Sequence, residues 1–96
     1  MRITYRLTVR VKKCEELQKD LEQACLDYGG QFYQETLDEW YGNAAYLRGT
    51  EWAQGRVLKF QESRREVESR LPNIDDSEFD RYCLVNDLLA RLLEGP

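Results

Sequence analysis

The chain has 96 residues, with 18 acids against 14 bases, no histidine and a formal net charge of −4. That length holds one core, and a hydrophobic fraction of 42% argues against disorder of the whole chain. The acidic balance disfavours nucleic acid and anionic membrane as default partners. No window approaches the roughly 18 apolar residues of a membrane span. The N-terminus alternates instead of forming an apolar run, so no secretory signal is expected.

Residues 2–12 alternate almost without fault. Ile3, Tyr5, Leu7, Val9 and Val11 fall on one side, and Arg2, Thr4, Arg6, Thr8, Arg10 and Lys12 on the other. A period of two with β-branched and aromatic residues predicts a half-buried strand. Residues 14–28 change period: Leu17, Leu21, Ala24, Cys25 and Tyr28 recur at steps of three and four, predicting an amphipathic helix that Gly29-Gly30 ends.

Residues 31–61 show no long helical stripe. They hold most of the aromatics and are punctuated by Gly42-Asn43, Gly49-Thr50 and Gly55. This pattern predicts two or three strands, at about 31–37, 44–48 and 56–61. Ser63 followed by Glu66 reads as a capping box opening a short helix over 63–71, which Pro72 stops. Asp75, Asp76 and Ser77 offer cap oxygens for the strongest helix, 77–94, closed by Gly95-Pro96.

The order β-α-β-β-(β)-α-α implies a single α+β domain over residues 1–96. An antiparallel sheet of three to four strands would carry the helices on one face, a partial split β-α-β arrangement. The last strand of a full ferredoxin-like topology is missing, so the likeness is one of topology alone.

Catalysis is disfavoured by the missing histidine, which removes the usual general base and the commonest metal ligand. Cys14, Cys25 and Cys83 show no C-x-x-C spacing, so no zinc site and no redox pair is expected; their odd number argues for a reducing cytoplasm. No phosphate-binding glycine loop or EF-hand pattern is present, and no cofactor is implied. Glu35, Asp38, Glu39 and Glu51 have no spacing that pairs them for acid–base work, and read as a solvated surface.

Three features remain as candidates for binding. Residues 1–13 carry +5 and the remainder −9, so the Arg2, Arg6 and Arg10 side of the first strand would form a cationic stripe suited to phosphates or an acidic partner. Trp40, Tyr41 and Trp52 are candidates for protein contact, since such residues dominate interface energetics. In the last helix Phe79, Tyr82, Cys83, Asn86, Leu89, Ala90 and Leu93 form one stripe. Leu84, Val85, Leu88 and Leu92 widen it beyond one packing face. Either the 63–71 helix or another chain must cover the second side; Val85, Leu88 and Leu92 are expected at an oligomer interface, in a C2 homodimer. The resulting expectation is a small non-catalytic module that docks on a partner protein. The alternative is a nucleic-acid or phosphate-ligand binder using the Arg/Lys face of the N-terminal segment.

Overall fold

A computed structural model describes the backbone of residues 2–27 and 30–94, and the side chains of residues 6–27 and 33–93. Four helices in succession account for the described chain: α1 (Arg2–Asp27), α2 (Gly30–Ala45), α3 (Glu51–Glu68) and α4 (Asp76–Glu94). The α+β expectation is thereby corrected: no strand occurs among the described residues, and the antiparallel sheet is replaced by packed helices.

The first correction is at residues 2–12. In α1 the apolar residues Leu7 and Val11 continue at helical steps into Cys14, Leu17, Leu21, Ala24 and Cys25, all directed to the core. A strict alternation contains within it every fourth residue, so half of a period-two pattern also fits a helix. Val9 is the residue the helix cannot accommodate inside, and it is 48% exposed. Packing of one long apolar face outweighs the local β-propensity of the valines and threonines. Ile3, Thr4 and Tyr5 lie on the same helix, with side chains outside the described residues. Tyr28, Gly29, Gly95 and Pro96, read from the sequence as the last apolar position and the stops of two helices, lie outside the described residues.

The second correction is at residues 31–61. Tyr33, Leu37, Trp40, Ala44 and Leu47 follow alternate steps of four and three, and all pack in or against the core. Ala53, Val57, Phe60 and Val67 do the same for α3. Gly42 and Gly55 sit inside these helices, where a Cβ would meet nothing within 4 Å. They are not turn residues. The turn lies between them, at 46–50, where Gly49 takes a φ of 80°.

Thr50 then caps α3: its Oγ1 accepts from the Ala53 N–H at 3.3 Å. The predicted capping residues Ser63 and Glu66 are instead interior to α3, which ends at Glu68. At α4 the expected cap is found, the Glu78 N–H donating to Asp75 Oδ1 at 2.8 Å.

Contacts between elements fix the topology. Lys13 pairs with Glu39, and Arg10 donates to Asn43, so α1 and α2 are antiparallel. Tyr82 donates to Glu68, and Arg70 pairs with Glu78, so α3 and α4 are antiparallel as well. Glu22–Arg81 and Cys25–Asp80 join the two hairpins through α1 and α4. The result is an up-down-up-down arrangement. Its core runs from Cys14, Leu17 and Leu21 through Leu37 and Trp40 to Phe60, Leu84, Leu88 and Leu89. No helix of the described chain is long and apolar enough to cross a membrane.

Candidate functional site

The three sequence-derived candidates have different fates. Trp40 is 0% exposed and lies at the centre of the core, its ring 6.5 Å from Trp52 and 6.4 Å from Phe60. It is a packing residue, and its indole N–H meets no acceptor among the described residues. Trp52 is half-buried and lines an open cleft of ≈ 380 Å³ with Leu7, Val11, Leu47 and Thr50.

Tyr41 belongs to a cluster at the C-terminal end of α2. Arg48 and Arg91 lie 5.5 and 5.6 Å from its ring, and Arg48 also donates to its hydroxyl. On the other side of α2, Arg10 donates to Asn43 Oδ1 at 2.7 Å and lies 4.3 Å over the ring of Tyr46. Tyr46, Arg48 and Arg91 were not singled out from the sequence. Their common signal, arginines and tyrosines close to one helix end, becomes visible only once that end is known.

The cationic stripe survives the change from strand to helix, since residues four apart share a helix face as well. Arg6 is exposed, whereas Arg10 is drawn onto α2; the side chain of Arg2 lies outside the described residues. Among the described residues Arg6, Arg10 and Arg48 have no carboxylate ion-pair partner, while Arg91 pairs with Asp38 at 2.8 Å. Arginines near the α2 C-terminus also complement its dipole.

The third candidate is α4. Leu88 and Leu92 are 1% and 8% exposed within the chain, and Val85 packs against the same core. The wide arc that suggested a second chain is covered by α1, α2 and α3, so these three residues are placed in the chain's own interior. The other stripe is divided: Leu89 is 1% exposed and belongs to the core, while the rest of it is open or partly so. Phe79 is 51% exposed and Leu93 58%, Cys83 is exposed, and Asn86 and Ala90 are partly so.

Phe79, Cys83, Asn86, Ala90 and Leu93 follow alternate steps of four and three over four helical turns. This is the spacing of a helix–helix seam. Large residues stand at its ends and small ones in the middle. Tyr82 edges the seam, its ring 6.4 Å from that of Phe79. Asp80 and Asp87 stand along the opposite edge, and Asp76 at the N-terminal end. The basic residues of α4 are directed elsewhere, Arg81 to Glu22 and Arg91 to Asp38. Asp87 accepts from the Tyr33 hydroxyl at 2.8 Å, and burial together with this bond pushes the Tyr33 phenol well above its ordinary pKa.

A groove of ≈ 250 Å³ runs between α1, α3 and α4, floored by Phe60, Val67, Leu84 and Leu88. Its charged rim is internally neutralised: Arg70 bonds Glu66 and Glu78, and Arg81 pairs with Glu22. The thiols are poor nucleophiles. Burial pushes Cys14 up to about 11 and raises Cys25 and Cys83 as well, so all three stay protonated near neutral pH. Among the described residues no group of three or more His, Cys, Asp or Glu side chains is placed to hold a metal ion. Comparison with known proteins adds no relative: no family model, no curated protein and no solved structure matches the chain.

Proposed function

We propose that the chain is a non-catalytic docking module that recognises a partner protein through the open face of α4. The observation that carries this reading is the uncovered seam of Phe79, Cys83, Asn86, Ala90 and Leu93. Among the described residues the other exposed large apolar side chains, Val9, Leu26, Leu58 and Leu71, are scattered, whereas Phe79 and Leu93 end a series with the regular spacing of a helix–helix contact that faces solvent. Phe79 and Leu93 each present about half of their surface. Covering them is worth roughly 1 kcal/mol apiece. The absence of histidine from the sequence and the raised thiol pKa values fit a role in binding better than one in catalysis.

The experiment is affinity capture from the native host with the wild-type chain and a Phe79→Ser/Leu93→Ser variant, each checked for helicity by circular dichroism. Both positions are half exposed, so the variant should fold. A partner retained by the wild type should be weakened by about thirtyfold in the variant. Equal retention by both would contradict the reading.

The cationic alternative has one observation in its favour, the four-residue spacing of Arg2, Arg6 and Arg10 on one face of α1. It is the weaker reading, because Arg10 is already held by Asn43 and Tyr46.

A further inference from the structure

The docking reading says where a partner sits, and the charges around the seam say what kind. Resting on that reading, we infer that the occupant of the α4 face is an amphipathic helix with basic residues flanking its apolar side. Coiled-coil geometry assigns the flanking positions a distinct role: they set partner choice and orientation through charge. Along one edge of the seam these positions are Asp80 and Asp87, and Asp76 closes its N-terminal end. No lysine or arginine of α4 answers them, since Arg81 and Arg91 are engaged by Glu22 and Asp38 on neighbouring helices. A chain of net charge −4 adds a longer-range field of the same sign.

The same charges argue against a second copy as the occupant. Packed antiparallel about Asn86, two α4 helices would bring Asp87 next to the same residue of the other copy. Packed in parallel, they would oppose Asp76 to itself at the start of the seam. Like charges at such positions destabilise the pair. A helix carrying lysines there gains at each of the three acids instead. The small residues Cys83, Asn86 and Ala90 in the middle of the seam leave room for large apolar side chains from such a helix. Asn86 provides one polar position, which can fix register.

The test uses two labelled synthetic helices that share leucines at alternate steps of four and three. One is flanked by lysines and the other by glutamates. Fluorescence anisotropy gives affinities, and amide shifts of the labelled protein map the contact. The lysine peptide should bind at least roughly tenfold more tightly, with shifts centred on residues 79–93, and its advantage should shrink with added salt. Asp80→Lys/Asp87→Lys should reverse the preference, with helicity retained in circular dichroism. Asp80→Asn/Asp87→Asn should abolish it without reversal.

Equal affinity for the two peptides, or binding of neither, would overturn the basic-helix assignment. The docking reading would still be judged on its own by the capture experiment. A concentration-dependent dimer seen in light scattering and lost in Leu93→Lys would also overturn the assignment, by identifying a second copy as the occupant.

Discussion

The indole of Trp40 shows how much of this small domain depends on single side chains. It touches Trp52 and Phe60 from the other hairpin, and it is among the largest fully buried groups. Trp40→Ala should cost about 3–5 kcal/mol, against a total stability for a domain of this size of roughly 5–14 kcal/mol. Urea unfolding should show a much lower midpoint, or an unfolded chain at 25 °C. The thiols give a second prediction at this scale. Cys14 is raised from 9.0 to about 11 by burial, so the folded state holds its proton more tightly than the unfolded state does. That contribution is complete below the unfolded pKa and is lost as pH rises through the folded one. Stability should therefore fall as pH rises above about 9. In the native state at neutral pH, Cys83 should react with a thiol reagent while Cys14 and Cys25 stay protected. Three equally fast thiols would contradict the burial of α1.

The glycines carry the most direct test of the individual elements. Gly42 and Gly55 are inside helices with open space at the Cβ position, so Gly42→Ala and Gly55→Ala should each stabilise by about 0.5–1 kcal/mol. Gly49→Ala should do the opposite, because φ there is 80°. Were these segments strands and turns, as the sequence pattern suggests, the first two substitutions would not help. The same residues explain why the fold was only partly legible. Helix 77–94, its Asp75 cap, and the helical stripe of Leu17, Leu21 and Cys25 could be read because periodicity and capping agreed there.

In α2 and α3 the two signals disagreed. Glycines with poor helix propensity sit beside the regular series Leu37, Trp40, Ala44 and Leu47, and tertiary burial decided the outcome. In α1 the alternation of Leu7, Val9 and Val11 was compatible with both periods. Among the described residues, the exposure of Val9 separates them. The open seam of α4 was visible as part of a stripe, but which half of that wide stripe would be covered depended on α2, misread as strands, and on α3, read as a helix only at its end, over 63–71. The Arg48 and Arg91 cluster around Tyr41 depended on the α2 end in the same way.

At the scale of the whole molecule, two properties follow from how the surface is arranged. Leu88 and Leu92 are satisfied within the chain, and the remaining exposed seam is edged by aspartates. Light scattering at micromolar concentration should therefore give a mass near 11.4 kDa instead of twice that value. The charge separation along α1 is real in sequence, yet Arg10 and Lys13 are turned to Asn43 and Glu39. Few cations then remain for a polyanion. Single-stranded RNA should show no shift at physiological salt. A salt-sensitive complex lost in Arg6→Gln would instead favour the cationic face.

The central claim is that the α4 face is where a partner sits. It is tested most directly by placing a photo-crosslinking phenylalanine analogue at single positions in the chain, expressed in its native host. Position 86, in the middle of the seam, should yield a discrete crosslinked product. Position 46, at the arginine–tyrosine end, and position 16, on the exposed side of α1, should not. A product from position 46 with none from position 86 would contradict the account.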